Sequence, residues 1–186
     1  MPKETYIPCL LRLFRQHGYD GATLAKISEA TGLGKASLYH HFPGGKDEMV
    51  EVVLAFLENQ LDQHVLQNLR GPGDAMARLQ RMSEYLQEAY EGGKQPCILA
   101  TLLLGSARDI FHGKVKGFLR TWIGAIATVL MESGVDEHLA YQRGENALLT
   151  VQGALILSQG LEDPAIFQRA VQQLPTTLCQ AETSVS

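Results

Sequence analysis

Three observations predict an all-α chain. Apolar residues recur at helical spacing along almost the whole sequence, and no alternating β-branched run competes with them. Glycine- or proline-bearing breaks ("TGLG", "FPGGK", "RGPGD", "EGGKQP") punctuate the pattern. The expected architecture is a small N-terminal bundle of three helices joined to a larger C-terminal helical domain. The division falls at 1–46 and 47–186, with a connecting helix over 46–68.

The first helix carries Leu10, Leu11, Leu13 and Phe14 toward a core. Pro8 lies near its start, where a missing N–H costs little, and Gly18 follows its end. Thr23 caps a second helix, "LAKISEA", whose inward stripe is Leu24, Ile27 and Ala30. Gly32 supplies the positive φ of a tight turn, and Leu33 plugs the angle between two helices. Small Ser28, near that turn, lets the helices approach. The third helix, "KASLYHHF", turns Leu38 and Phe42 inward at i, i+4, and Pro43 stops it. Asp47 and Glu48 suit the electropositive first turn of the fourth. "RGPGD" at 70–74 is a break, with Asp74 capping a helix to about Tyr90. Its inward side is Met76, Leu79, Met82, Leu86 and Tyr90. Beyond "EGGKQP", helices are expected at roughly 97–111, 114–133, 137–161 and 163–174, and the polar tail from Pro175 should fray.

Composition narrows the function. The 45% hydrophobic content is ordinary for a globular protein. The net charge of −4 is unevenly spread: residues 1–46 hold Lys3, Arg12, Arg15, Lys26, Lys35 and Lys46 against Glu4, Asp20 and Glu29. An acidic chain with one basic end points to a polyanion partner for that end alone. Cys9, Cys97 and Cys179 are too few and scattered for a disulfide framework or a zinc site. Arg12 and Arg15 interrupt the apolar run from Ile7 to Phe14, so no export signal is expected. The longest apolar stretch, Ile98 to Leu104, is too short to span a bilayer. A cytoplasmic protein with no membrane partner fits. No paired carboxylates, Ser-His-Asp set or phosphate loop is present, so neither an enzyme nor a cofactor site is expected. His40 and His41 do not make a metal pair, because adjacent helical residues diverge by about 100°.

A short helix, a glycine turn and a second short helix, braced by a preceding one, form a helix-turn-helix. With Leu38 and Phe42 inward, Ala36 and His40 point most directly out, flanked by Ser37 and Tyr39, with Lys35 at the helix start. The first residues of such a helix reach base edges in the major groove of double-stranded DNA. Lys35 can donate to guanine, Ala36 can touch a thymine methyl, and Ser37 can serve either role. Tyr39, His40 and His41 suit phosphates; His41 also points partly inward and can simply brace the fold. Lys46, beside Gly44 and Gly45 at the start of the next helix, forms an anion clamp for the DNA backbone.

The stretch "GYDGATLAKISEATGLGKASLYHHFPGGKDEMV" resembles the DNA-binding segment of TetR-family transcriptional regulators. Its Gly-Tyr-Asp lead, Thr23 cap, Thr-Gly turn, Leu38-Tyr39-x-His41-Phe42 and Lys46 carry the likeness. The extra glycine of "FPGGK" is similar to the LmrA- and YxaF-like subgroup, as is the C-terminal spacing of Cys97, the Trp122 helix and "VQGALIL". The resemblance implies a homodimer, an operator, a small-molecule effector pocket in the C-terminal domain, and repression. It carries DNA contacts onto Thr23, Lys35, Ala36, Ser37, Tyr39, His40, His41 and Lys46. Gly34 departs from the family's common serine, weakening the cap of the third helix. A ligand-blind, architectural DNA-binding protein is the alternative reading.

Two further expectations concern the C-terminal domain. Leu149, Gly153, Ile156 and Gly160 form one stripe, and Leu119, Ile123, Ile126 and Leu130 form another on the preceding helix. Two such helices per subunit make a four-helix dimer bundle, or else an internal core. Two-fold pairing in turn requires an inverted-repeat operator. Met76, Met82, Leu86, Leu103, Phe118 and Trp122 either line a pocket for an apolar, aromatic ligand oriented by Gln152 or pack as plain core. Cys97 reads as a buried small residue rather than a redox sensor.

Overall fold

The computed structural model describes residues 2–180, so the last six residues of the tail expected to fray lie outside it. The helices in chain order are α1 (Ile7–Gly21), α2 (Leu24–Thr31), α3 (Lys35–His41), α4 (Gly45–Gln60), α5 (Gln67–Arg70), α6 (Ala75–Ala89), α7 (Ile98–Thr101), α8 (Ala107–Glu132), α9 (Glu137–Gly160) and α10 (Ala165–Cys179). A 3-10 turn, Lys3–Tyr6, precedes α1, and a π-helical segment, Leu61–Leu66, joins α4 to α5. Among the described residues there is no strand.

The chain divides into two compact units. One holds Met1–Gln60 and Cys97–Gly117; the other holds Leu61–Pro96 and Phe118–Ser186. Compactness thus places 97–117 with the N-terminal helices, which a single division at residue 46 does not anticipate.

In the N-terminal unit α1 packs against α2, α4 and α7. Leu10, Phe14, Ile27, Leu38, Phe42, Met49, Val50 and Val53 are buried there, joined by Leu102, Phe111 and Val115 from the returning segment. Leu24 and Ala30, expected inward, are exposed. Residues three apart lie about 60° to either side of Ile27, and a two-turn helix presents a contact narrower than that. Gly18 breaks α1 internally at φ 65° and ψ −178°, so Tyr19 and Asp20 leave on a new heading. The break expected near residue 112 falls instead at 102–106, between α7 and α8, and Gly113 sits inside α8.

In the second unit α10 packs on α6 and α9. Leu79, Met82, Leu86, Trp122, Ile126, Leu130, Phe167 and Val171 are buried. Asp74 caps α6 as expected, accepting from Ala77 N at 2.8 Å. Close packing of α8 on α9 depends on Gly144, where a β-carbon would stand 2.9 Å from the Ile123 carbonyl oxygen. The helix α10 does not stop at Pro175; Leu174, Pro175 and Leu178 are all buried. Proline cannot donate to the carbonyl four residues back, which is Val171. Buried Ser83 supplies that hydrogen bond, its Oγ donating to Val171 O at 2.5 Å. At the other end of α10, buried Ser158 Oγ accepts from Phe167 N at 2.9 Å. Neither hydroxyl leaves a polar atom unsatisfied, the condition for burying one.

Candidate nucleic-acid interface

The helix-turn-helix is held by short-range polar contacts. Thr23 Oγ1 accepts from Lys26 N at 3.3 Å, capping α2. Gly32 closes α2 at φ 69°, as the turn requires. Thr31 Oγ1 donates to Ile27 O at 2.7 Å and accepts from Leu33 N at 3.3 Å, tying the last turn of α2 to the loop. Ser28 Oγ donates to Leu33 O across the same loop, so Ser28 fastens the turn as well as making room for it. Gly34 gives α3 no side-chain cap, as its identity implies.

On α3 the division of faces is sharp. Leu38 is 1% and Phe42 0% exposed, whereas Lys35, Ala36, Ser37, Tyr39 and His40 are all exposed. Thr23 is exposed too. His41 is half-buried, its ring 5.4 Å from that of Tyr6, so it braces the 3-10 turn against the end of α3.

The corner before α4 differs from a simple clamp. Lys46 is half-buried; its Nζ donates to Tyr19 O at 2.8 Å and lies 4.0 Å from the Tyr19 ring centroid. An ammonium has three N–H groups, so the tether spends one and fixes where the charge stands. The Tyr19 hydroxyl in turn donates to Asp47. Burial, then the hydrogen bond and charge of Asp47, push the Tyr19 phenol up to about 12. Gly44 N donates to Glu48 Oε2 at 2.8 Å, and Lys3 pairs with the other oxygen of Glu48. Those two partners, Lys3 foremost, hold the Glu48 carboxyl below its usual range. One N–H of the clamp is therefore already occupied by a carboxylate. Sequence reasoning missed Tyr19 and Glu48. The "KDE" triplet signals an acidic first turn, but not which donor each acid takes.

The proposed ligand and dimer residues are not gathered as expected. Met82, Leu86 and Trp122 share the core of the second unit, with Trp122 Nε1 donating to Met82 Sδ at 3.5 Å. Phe118 and Gln152 are half-buried in that unit. Met76 is exposed and lines an open groove of about 570 Å³ between α6 and α10 with Gln80, Ser83, Gln87, Gln168 and Gln172. Leu103 belongs to the N-terminal unit. Of the two stripes, Leu149 is 69% and Ile156 68% exposed, and β-carbons at Gly153 and Gly160 would meet nothing within 4 Å. Leu119 and Ile123 are half-buried. Ile126 and Leu130 are 0% exposed within the single chain, so a second chain cannot reach them; that half of the expected interface is internal core. Cys97 is buried, as expected.

Among the described residues no group of three or more His, Cys, Asp or Glu could hold a metal ion, and no helix is long and apolar enough to cross a membrane.

Comparison with known proteins agrees with this arrangement. Residues 10–53 match the family described as bacterial regulatory proteins, tetR family, and residues 72–173 match the C-terminal domain of LmrA/YxaF-like transcriptional regulators. An uncharacterized HTH-type transcriptional regulator of Bacillus subtilis (strain 168), YxaF, is 23% identical over 177 residues, 93% of each chain. A TetR transcriptional regulator from Legionella pneumophila superposes with a TM-score of 0.80 at 18% identity, over 94% of this chain and 96% of that one. A cysteine mutant of the TetR-family regulator CifR, solved with 26-base-pair double-strand operator DNA, superposes at 0.74 and 18% identity, over 93% and 95%. These relatives are regulators, and the chain is not an enzyme. A helix-turn-helix with an outward polar face, followed by a matched C-terminal helical domain, makes this chain a member of the TetR family of bacterial transcriptional regulators, in its LmrA/YxaF-like branch.

Proposed function

We propose that the protein is a homodimeric repressor that sits on an inverted-repeat operator and leaves it when a small apolar or aromatic molecule binds its second unit. The observation that carries the DNA half is the face of α3. Lys35, Ala36, Ser37, Tyr39 and His40 stand exposed on a helix whose other side is fully buried. A polar, basic helix face held rigid from behind suits the major groove. Thr23 and Lys46 flank it as phosphate contacts, with Lys46 held in place by Tyr19. Support for a dimer comes from α9, where Leu149 and Ile156 are exposed beside Gly153 and Gly160. A two-fold pair of such helices sets two α3 helices in opposite senses. Repression follows from occupancy, since the ligand-free protein covers its operator.

Selection of bound sequences from random DNA with the purified protein tests the first half. An inverted repeat is expected; enrichment without any common sequence would favour the ligand-blind architectural reading. The effector half is tested through Trp122, the sole tryptophan. Planar apolar compounds should change its emission and, at the same concentrations, dissociate the operator complex. Release requires the ligand to prefer the conformer that binds DNA poorly; equal affinity for both releases nothing. A compound that releases DNA while leaving Trp122 unaffected would place the pocket elsewhere.

A further inference from the structure

Segment Cys97–Gly117 lies in the N-terminal unit although the chain reaches it only after passing through Leu61–Pro96. Much of its attachment is apolar. Leu102, Phe111 and Val115 are buried, and the Phe111 ring meets the Tyr19 ring edge-on at 5.9 Å. Apolar contact is non-directional. Lys114 Nζ also reaches Glu51 Oε1 at 3.0 Å, but both side chains are about half exposed and such a pair is weak.

A second polar contact in the segment is fixed at two points. Asp20, two residues past the Gly18 break, accepts from Ser106 N at 3.1 Å and from the Ser106 hydroxyl. The site is built for it: a β-carbon at Gly105 would run into the Asp20 carboxylate. The two Ser106 hydrogen bonds hold the Asp20 carboxyl below its usual range, so it is ionised and accepting at neutral pH. Ser106 immediately precedes α8, whose residues to Gly117 belong to this unit and whose remainder, with Trp122, belongs to the other.

The geometry points to Asp20 and Ser106 as a register pin, the fixed point through which the position of α8 is reported to the DNA-reading helices. Asp20 is a positioning residue in this scheme. It acts through α1, which packs on α2 and α4, and not by touching DNA. An axial shift of α8 loads Ser106, and a two-point hydrogen bond adds a fixed direction to the apolar contact beside it. The scheme deepens the regulator reading and rests on it for direction, but the pin itself is tested with DNA alone and needs no effector.

The experiment is hydrogen exchange on the full-length protein, with and without an operator duplex taken from the selection above. In the wild type, DNA should slow exchange in 107–132, including the portion beyond 117, by about tenfold or more. Asp20→Ala and Ser106→Ala should each keep operator affinity within about threefold and keep the DNA-induced protection of α2 and α3. Each should lose the slowing beyond 117, and the double variant should lose no more than either single one. Asp20→Asn, which retains an acceptor for Ser106 N, should keep part of it and covers the case in which alanine perturbs folding. Undiminished slowing in 118–132 in these variants would overturn the pin, as would a wild type in which DNA leaves 118–132 unchanged. Failure of every compound to release DNA would count against the effector reading and leave the pin standing.

Discussion

Helices α3 and α9 each leave a face unpacked, and the two faces are chemical opposites. On α3 the open side is Lys35, Ser37, Tyr39 and His40, polar groups whose hydrogen bonds water can replace. On α9 it is Leu149, Ile156 and Leu157, at 69%, 68% and 53% exposure, from which water gains nothing. A polar face waits for a hydrated, charged partner; an apolar one waits to be covered by protein. The contrast fits the two partners proposed above, DNA and a second copy, and it can be attacked from either side.

The largest expected effect is at α9. A β-carbon at Gly153 meets nothing within 4 Å, so a side chain there has room to leave the helix, and Gly153→Arg tests chiefly what arrives from outside. It should yield monomers by analytical ultracentrifugation and weaken operator binding by roughly a hundredfold or more, since each half-site is then held alone. An unchanged dimer would mean the α9 face is covered by something else. Next comes α3: Lys35→Ala should relax preference at particular base positions, at about 1–3 kcal/mol, in a repeated selection. Lys46→Ala should weaken binding to all sequences alike, with a loss of roughly one in the log–log salt slope. Since Lys46 Nζ also holds the Tyr19 carbonyl, the same variant should melt at a lower temperature than Lys35→Ala. A change in sequence preference without a change in slope would reverse the roles of the two lysines. The smallest effect is spectroscopic. The Tyr19 phenol should ionise only at about pH 12, and that late step should vanish in Tyr19→Phe. Because the folded value is raised, this group's contribution to stability is complete below about pH 10 and is lost as pH rises toward 12.

The same contrast explains how much could be read from the chain. The α2–turn–α3 motif was legible because its determinants are local: the Thr23 cap, the Gly32 turn, and Leu38 and Phe42 four residues apart. The stripe on α8 was legible as apolar but not as to its partner. Ile126 and Leu130 face their own chain, and nothing in a helical period distinguishes that from facing a second one. What was missed is non-local. Pro175 reads as a stop until Ser83, far upstream, supplies the hydrogen bond that lets α10 continue. Lys46 reads as a free cation until the Tyr19 carbonyl is placed beside it. The gap expected between 111 and 114 lies inside α8, and the chain breaks instead at 102–106, where Gly105 leaves room for Asp20.

Gly18 has a consequence in stereochemistry. Its φ of 65° and ψ of −178° are the mirror image of an ordinary extended residue, a combination that L-amino acids avoid. A β-carbon of L configuration built there would meet nothing within 4 Å, so the position excludes L-alanine by handedness and not by size. In a semisynthetic chain, D-alanine at residue 18 should accept the native backbone readily. L-alanine, identical in composition, should swing Tyr19 and Asp20 off their partners. Comparing the two diastereomers would separate the heading of the chain at this point from every side-chain contact that depends on it.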